Sequence, residues 1–485
     1  MINKILVLFI VVFALSVAPA CSQNEPEENQ EIKTQNILSI PVLDIESAHF
    51  HDSLTFLFKS LEPSADDSDQ VLTLKKSLEI AEKKSMALAI ARSKTEEAYY
   101  KVDEVKSNKN IIAGITGSAS YSGPTPTIEF DGASMTLGSP VNWSSAFTAR
   151  YLLTNFGLIE DAKKAAWLGY LNAKLTEERE LAELYNSVAS SYLWALETSG
   201  LYIVAKNAVE LRKQQLEVAK AKYDEGVSPK YDMLTARVNF KSAEQNLYSA
   251  ERAMELNKSA LRNKMGLEQW EDFFVSRPVY VEFNEIAFES AVDLAYQNRI
   301  ELTQMNMVVD MAKKGFDIAA QGKNPSLLLN GSYSLQSVGF GQSGYSWATA
   351  LALDIPLFDG GETKAKMNQA KEVIKQSEYN LEQLRRDISL QVKDALLRIN
   401  ESKKKLQTAE ASLDLAKEAY EVSLVRYREN VGTFLELDSA TVNYMSALAA
   451  LSSAYCEFER SQLNLFYSTG LLVKEVRNNV LSQNN

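Results

Sequence analysis

The chain has 485 residues, of which 46% are apolar and 24% charged, and its formal net charge is -12. This acidic balance argues against a nucleic-acid partner, because phosphate backbones are bound by clustered Lys and Arg. Two His, both near the N-terminus, and two Cys leave little material for a metal site or a catalytic nucleophile. We therefore expect a folded protein with a large core, no enzyme activity, no cofactor and no bound metal.

Residues 1–20 form a predicted signal peptide. Lys4 precedes an apolar run over 5–17, and Ala18-Pro19-Ala20 supplies small residues before Cys21. This arrangement is typical of a secretory signal rather than a membrane anchor. An Ala-x-Ala cleavage site accounts for the same residues, but a Cys at the junction followed by an acidic segment favours a lipoprotein that is acylated at Cys21. Residues 21–70 are polar and broken by prolines, and we interpret them as a tether.

Residues 71–271 form the first of two predicted structural repeats. Apolar residues at three- and four-residue steps predict a helix from Val71 to about Lys106. The period then changes to two, which predicts strands over about 111–121 and 143–154 joined by a loop. A long helical hairpin follows, and its tip is expected at about 224–232, where Gly, Ser and Pro interrupt two strongly helical runs.

A non-helical connector over 272–285 leads to the second repeat, residues 286–471. The order of predicted elements is the same: a helix over 286–320, strands at about 327–338 and 345–357, and a long helical hairpin with its tip at about 428–436. Residues 472–485 form a C-terminal tail. Cys456 lies on the returning helix, where we expect a small buried apolar residue rather than a reactive thiol.

The repeats arise from a tandem duplication. When Tyr223 is placed on Tyr427, the segments Tyr223 to Leu267 and Tyr427 to Leu471 align without a gap and 15 of 45 positions are identical. We call this the hairpin alignment. The helices that precede the strands align when Ser77 is placed on Ala291, which we call the helix alignment. A period this long lies outside the range of solenoid repeats, so each copy is expected to be a substantial half of the structure.

The long helices carry heptad seams. In the second hairpin, Ile388, Val392, Ala395, Ile399, Ser402, Leu406, Ala409 and Leu413 recur at steps of four and three, and Ala182, Tyr185, Ala189, Tyr192 and Leu196 do so in the first. This spacing predicts coiled-coil packing. Helices of about 70 residues reach roughly 100 Å at 1.5 Å per residue.

Each predicted strand has one apolar face, and the opposite face is small or polar. The apolar, candidate lipid-facing residues are Trp143, Phe147, Tyr151, Leu329, Tyr333, Tyr345, Trp347, Leu351 and Leu353. Strands of 10 to 12 residues are long enough to cross an outer membrane at a tilt. A soluble sheet packed on helices alternates in the same way, but the export signal and the two separate strand pairs favour the membrane. Four strands cannot close a barrel, so three copies would have to pool twelve.

This order of elements resembles the TolC-type outer-membrane efflux channel family over nearly the whole chain, from Val71 to Leu472. The resemblance is carried by YQNRIEL (296–302), by IPLFDGGETKAKMNQA (355–370), by its fainter counterpart TNFGLIEDAKKAA (154–166) and by the two tips. It implies a mainly α fold in which three chains form a long α-helical tunnel in the periplasm and share a 12-stranded β-barrel in the outer membrane of a Gram-negative bacterium.

The resemblance also implies partners and site residues. A homotrimer would passively conduct compounds delivered by an inner-membrane pump through a periplasmic adaptor, or membrane fusion protein. Adaptor docking and tunnel narrowing would fall on the tips, at Tyr223, Gly226, Val227, Tyr231, Asp232, Tyr427, Asn430, Val431, Gly432, Phe434 and Glu436. Asp232, Glu436 and Asp438, repeated threefold, would form an acidic ring in the lumen that favours cations.

The second tip departs from the family pattern. Members with a closed mouth often carry an Arg in this turn and an Asp further along the helix, where this chain has Gly432 and Ser439. Tyr427, Asp232 and Glu436 are present, but the cationic partner that links them in those members is missing. We therefore expect closure to depend on packing around Phe434, Leu435 and Tyr231 more than on salt bridges, and to respond little to ionic strength.

Two alternatives remain open from the sequence. A type I protein secretion duct would have the same architecture and differ in its pump. A periplasmic helical-hairpin scaffold or adaptor lipoprotein would have no pore, and it requires that the alternating strands form a soluble sheet.

Overall fold

The computed structural model of the chain describes residues 71–124, 127–130, 132–136, 140–268, 273–276, 286–337 and 343–476. The predicted signal peptide, Cys21 and the tether lie outside the described residues. So do connector residues 277–285 and the end of the tail.

The first repeat follows the predicted order. Its elements are β1 (Val71–Leu72), α1 (Leu74–Lys84), α2 (Met86–Ser107), β2 (Ile112–Tyr121), β3 (Thr127–Phe130), β4 (Ala133–Thr136), β5 (Val141–Thr154), α3 (Leu158–Asp224) and α4 (Lys230–Met265). The single helix predicted from Val71 is divided at Ser85, whose side chain accepts a hydrogen bond from the Leu88 backbone N–H at 3.4 Å and so caps α2.

The second repeat has the same succession. After β6 (Phe274–Val275) come α5 (Phe288–Asn298), α6 (Ile300–Ala320), a 3-10 turn (Gln321–Lys323), β7 (Ser326–Ser337), β8 (Ser343–Asp354), α7 (Glu362–Arg428), α8 (Phe434–Ser468) and α9 (Leu472–Glu475). The prediction that the last strand continues to 357 is wrong. It ends at Asp354, shortly before Pro356, which has no backbone N–H to donate to a ladder.

The sheet joins the two repeats. Its order is β2-β5-β7-β8 with every neighbouring pair antiparallel. The prediction of a plain loop between the strands of the first repeat is also wrong, because β3 and β4 form a small separate hairpin there. Strands this short do not show a recognisable alternation, so the sequence pattern missed them.

The long helices follow the predicted seams. Helices α3 and α7 each contain 67 residues, and each packs against the helix that returns from its own tip. The seam positions that are buried include Tyr185, Ala189, Tyr192, Leu196, Ile388, Val392, Ala395, Ser402, Leu406 and Leu413. Helix α8 also packs on α3 and so connects the two hairpins.

The described part of the connector pairs with the start of the first repeat, because β6 lies parallel to β1. Both strands sit beside Tyr192, whose hydroxyl lies 2.8 Å from the Leu72 carbonyl oxygen and 2.6 Å from that of Ser276. The hydroxyl also accepts the Ser276 backbone N–H at 3.0 Å. Burial raises the pKa of Tyr192 to about 12, so the group stays a neutral hydrogen-bonding phenol.

The duplication seen in the sequence is present in the packing. Gly266 and Gly470 end α4 and α8 with φ of 71° and 73°. A Cβ on Gly266 would lie 2.8 Å from the carbonyl oxygen of Lys84, and one on Gly470 would lie 2.8 Å from the carbonyl carbon of Asn298. Lys84 and Asn298 are themselves equivalent in the helix alignment. Both glycines are therefore required by left-handed φ and by close backbone contact.

Candidate functional site

The candidate lipid-facing residues come together on one face of the four-stranded sheet. Phe147, Tyr333 and Trp347 lie directly opposite one another on three neighbouring strands. Ile115 of β2, which was not among the predicted residues, lies opposite Phe147 and extends this row to the fourth strand. A second row on the same face contains Tyr151, Leu329 and Leu351. Several members are widely exposed in the single chain: Ile115 77%, Phe147 47%, Tyr345 67%, Trp347 61%, Leu351 63% and Leu353 60%. Continuous apolar surface of this kind marks an interaction with lipid or another apolar partner.

The opposite face of the sheet has small and hydroxylic side chains. Thr116, Ala146, Ser334 and Ser346 form its central row. The Ser334 and Ser346 hydroxyls are 2.7 Å apart and hydrogen bonded. This face is therefore suited to contact with water, in contrast to the apolar face on the other side of the sheet.

Each tip is built by the same turn. Gly226 has φ of 78° and Asn430, at the equivalent position, has φ of 61°, and Gly and Asn are the residues that adopt left-handed backbone most readily. In the first tip the Val227 N–H donates to the Lys222 carbonyl at 2.9 Å, and in the second the Val431 N–H donates to the Arg426 carbonyl at 2.9 Å. These are Schellman-type helix ends.

At the second tip, side chains cap the N-terminus of α8. Thr433 accepts the Glu436 backbone N–H at 3.2 Å, and the Glu436 carboxylate accepts the Thr433 N–H at 3.3 Å, which forms a capping box. A Cβ on Gly432 would lie 3.0 Å from the Arg426 Cβ and 3.1 Å from the Glu436 carboxylate. The turn is therefore tight at the position where the resembling family often has an Arg.

Tyr427 and Phe434 do not lie on the surface of the tip. Tyr427 is 3% and Phe434 4% exposed, with their rings edge to face at 5.8 Å between centroids. They pack with Ala219, Ala236 and Leu437 in a small core shared by both hairpins. The assignment of these two residues to adaptor docking is wrong, because their side chains are enclosed by their own chain.

Lys222, which the sequence analysis did not single out, connects the two tips. Its ammonium lies 4.4 Å from the centre of the Tyr427 ring. It also donates to the Tyr427 carbonyl oxygen and to the Asn430 side-chain oxygen. A cation from the first hairpin thus caps the carbonyl end of α7 in the second, where the helix dipole is negative.

Asp438 is held by both arms of the first hairpin. It forms an ion pair with Arg212 of α3, and the Asn239 side-chain amide of α4 donates to it at 2.8 Å. Asp438 is therefore paired within its own chain and is not a free member of an acidic ring. Because Arg212 is 226 residues distant in sequence, no local pattern pointed to it.

The other two acids remain candidates for the lumen. The Ser228 hydroxyl donates to Asp232 at 2.7 Å. Asp232 lies close enough to Tyr427 for its charge to raise the pKa of that phenol, in addition to the larger effect of burial. Glu436 is half exposed, and Arg426 approaches it at 3.9 Å.

Several apolar or aromatic residues of the tips are exposed in the single chain. Tyr223, Val227, Tyr231 and Val431 are exposed by 37%, 55%, 74% and 69%. Leu435, predicted to help to close the mouth, is 72% exposed and so makes no core within this chain. Apolar residues at both tips are thus available to a partner.

Within the described residues, no helix combines the length and apolar character needed to span a membrane. That same part of the chain holds no group of three or more metal-binding side chains.

Together these features define a class of protein: a duplicated chain of long helical hairpins whose strands form one open sheet with opposite apolar and polar faces. The family model described as outer membrane efflux protein matches residues 78–267 and 291–471, which correspond to the two repeats. The chain belongs to this family.

Individual relatives agree with this assignment. The chain is 24% identical to the outer membrane protein TolC of Vibrio cholerae over 276 residues, which are 54% of this chain and 62% of TolC. It is 23% identical over 318 residues to the alkaline protease secretion protein AprF of Pseudomonas aeruginosa, or 63% of this chain and 65% of AprF. The chain thus spans a little under two thirds of each of these curated relatives.

Solved structures share the fold. The outer membrane protein VceC of Vibrio cholerae superposes with a TM-score of 0.67 at 16% identity, covering 82% of this chain and 96% of VceC. The open state of the MtrE outer membrane channel of Neisseria gonorrhoeae gives 0.68 at 21% identity, covering 82% of this chain and 89% of MtrE. The prediction of a TolC-type fold is confirmed.

Proposed function

We propose that the chain is one third of a passive outer-membrane duct in a tripartite efflux system. The proposal rests on the four-stranded sheet. One face of the sheet is apolar and exposed across all four strands, and the other face has small and polar side chains. In the described part of the chain, β2 and β8 are its edge strands. An open edge in lipid leaves backbone groups unsatisfied at several kcal/mol each, so three copies pool their strands into twelve. The long hairpins then form the periplasmic tunnel.

The same observation argues against the pore-free scaffold. A sheet of a soluble protein would need a cover over Ile115, Trp347, Leu351 and Leu353, and each of these is at least 60% exposed. Lipid supplies that cover without a further protein.

The exposed residues of the two tips indicate where a partner protein would bind. We assign docking of a periplasmic adaptor, which links the duct to an inner-membrane pump, to the exposed Tyr223, Val227, Tyr231 and Val431. Gly226, Asn430 and Gly432 set the shape of the turns. Tyr427 and Phe434 act beneath them by holding the two hairpins together. Localisation in the outer membrane of a Gram-negative bacterium, with Cys21 as a lipid anchor, completes the proposal.

Closure and selectivity are assigned to different residues. The tip is held shut by the packing of Tyr427 against Phe434 and by the Arg212–Asp438 ion pair. Added salt has little effect on either, because the packing involves no charges and the ion pair is largely buried. Asp232 and Glu436 remain as acids that favour cations in the lumen. Reversal potentials in a planar bilayer test the selectivity, and an anion-selective pore would contradict it.

The membrane assignment is tested by a pair of adjacent substitutions on opposite faces of β8. An Arg on the lipid face of an outer-membrane strand costs about 2–4 kcal/mol near the bilayer midplane, whereas the lumen face tolerates it. Leu351→Arg should therefore deplete the protein from the outer-membrane fraction, and Ala350→Arg should not. Equal yields of both variants in that fraction would refute the membrane assignment.

The duct itself is tested on the wild type by the mass of the detergent-extracted particle and by single-channel conductance. A conducting trimer is expected. A monomer without current would support the scaffold instead.

Protein secretion is the second candidate, and the similarity to AprF favours it. The two ducts differ in their pump, so covalent cross-linking in the native host followed by mass spectrometry of the trapped inner-membrane protein separates them. A transporter that is encoded beside its polypeptide cargo would indicate secretion.

A further inference from the structure

The strand pairs of the two repeats have the same register. In the first repeat Ile112 lies opposite Arg150. In the second, Ser326 lies opposite Asp354. Ser326 is the counterpart of Ile112 in the helix alignment, and Asp354 is the counterpart of Arg150 in the hairpin alignment. Strand β7 is therefore equivalent to β2, and β8 is equivalent to β5, residue for residue.

The joint between the repeats lies at β5 and β7, where Phe147 is opposite Tyr333 and Ala146 is opposite Ser334. Each of these strands has a counterpart that lies at an edge of the sheet within the described residues. Strand β8 is equivalent to β5, so its open edge corresponds to the edge of β5 that pairs with β7. Strand β2 is equivalent to β7, so its open edge corresponds to the edge of β7 that pairs with β5.

We infer that β8 of one copy pairs with β2 of a second copy of this chain in the register of the internal joint, with Leu351 opposite Ala119 of the neighbouring copy. The positions follow from the two alignments, because Leu351 is the counterpart of Phe147 and Ala119 is the counterpart of Tyr333. On the same basis Ala350 lies opposite Ser120 of the neighbouring copy. This inference rests on the proposed trimeric duct and specifies its interface.

The register keeps the two faces of the sheet continuous. Leu351 belongs to the apolar face, because it lies opposite Leu329. Ala119 belongs to the same face, because it lies opposite Trp143. A slip by one residue would join the apolar face of one copy to the polar face of the next, which a membrane strongly disfavours.

The helices support the same interface independently. Within the chain, α6 contacts α3 through Gln304, whose amide donates to Thr176 at 2.8 Å, and through Lys314, which lies 3.9 Å from Asp161. In the helix alignment, the counterparts of Gln304 and Lys314 on α2 are Ile90 and Tyr100.

Both counterparts are apolar and exposed, by 57% and 64%. The hairpin alignment places them against Asn380 and Ala365 on α7 of the neighbouring copy, the counterparts of Thr176 and Asp161. Ile90 and Tyr100 thus occupy the positions at which the repeat predicts a contact between copies.

Disulfide trapping tests the register. Ala350→Cys and Ser120→Cys are combined in a Cys456→Ala background, so that each copy carries one thiol on β8 and one on β2. Within one chain, β8 and β2 are three strand spacings apart, about 14 Å, so the two sites are at least this far from each other, which is too far for a disulfide. Opposite residues in neighbouring strands are within reach. Mild oxidation of the detergent-extracted particle should therefore give covalent trimers on non-reducing gels, and reduction should return monomers.

The matched control moves one thiol by two residues on the same face. Ala352→Cys with Ser120→Cys keeps small side chains throughout, but the inferred partner of Ala352 is Ser118, so linkage should fall at least tenfold. Each single variant should stay monomeric, which also measures any contribution from Cys21.

The outcomes separate the inference from the proposed function. Efficient linkage of the slipped pair, or of neither pair in a particle that has the mass of a trimer, would overturn the register and leave the duct intact. A particle with the mass of a monomer would overturn both.

Discussion

The Arg212–Asp438 ion pair can be broken by a single substitution. Arg212 belongs to the first hairpin and Asp438 to the second, so the pair ties together two elements that would have to separate for the mouth to widen. Arg212→Met keeps most of the aliphatic volume and removes the charge. Within the part of the chain that the structure describes, Asp438 then retains the hydrogen bond from the Asn239 amide at 2.8 Å.

The expected cost lies between two limits. Breaking a fully buried pair costs about 3–5 kcal/mol, and an exposed pair contributes about 0.2–1 kcal/mol. The Arg212 side chain is 11% and that of Asp438 23% exposed. The hydrogen bond from Asn239 also compensates part of the lost ion pairing. We therefore expect Arg212→Met to cost about 2 kcal/mol of stabilising free energy, between the limits for buried and exposed pairs. If the pair opens with the mouth, this amounts to a change of about 30-fold in the ratio of open to closed channels.

A double-mutant cycle provides the assay. Single-channel open probability is measured for Arg212→Met, Asp438→Asn and the double variant, and thermal unfolding of the extracted protein is followed by circular dichroism. Both single variants should raise the open probability, and the double variant should add little to either. The control is Arg386→Met, which breaks an exposed pair with Glu382 and should change neither quantity measurably. Strictly additive effects, or single variants that match the wild type, would refute the role of the pair.

Gly470→Ala should destabilise the extracted protein by more than Gly226→Ala, because both have positive φ but only Gly470 has backbone atoms within 3 Å of an added Cβ; equal melting temperatures would contradict this. Tyr192→Phe should lower stability by about 1–3 kcal/mol through the loss of buried hydrogen bonds, measured by denaturant unfolding, and an unchanged midpoint would count against it. Cys456 is fully buried and burial raises the pKa of its thiol, so maleimide should label it only after unfolding, and rapid labelling of the native particle would be inconsistent with this packing. Hydrogen bonds from the Thr363 side chain and backbone, with further ones from Gly361 and Lys323, lower the pKa of Asp359 well below its ordinary 3.8. The stabilising contribution of this carboxylate is present above that ordinary value and lost as the pH falls toward the lowered one, so Asp359→Asn should be less stable than wild type at neutral pH, with the two converging in acid; a gap independent of pH would exclude the charge as the cause.

The sequence alone determined the repeats, the order of helices and strands and the division of each strand into two faces. Periodicity is a local property: Phe147 and Tyr151 share a face of any strand, and Ile388 and Val392 share a face of any helix, wherever the chain folds. The two left-handed turn residues at the tips were evident for the same reason, since Gly and Asn are the usual choices there.

The tertiary structure decided which tip residues are enclosed and which charges are paired. Tyr223 and Tyr427 occupy equivalent positions in the duplication, yet one is 37% and the other 3% exposed, because only Tyr427 lies beneath Lys222 and against Phe434. Similarly, Asp438 was a candidate for the acidic ring in the sequence and is paired with Arg212 in the fold. The reason is physical: burial and ion pairing depend on residues far apart in the chain, such as Arg212 with Asp438 and Lys222 with Tyr427, and no local spacing records which of them will meet.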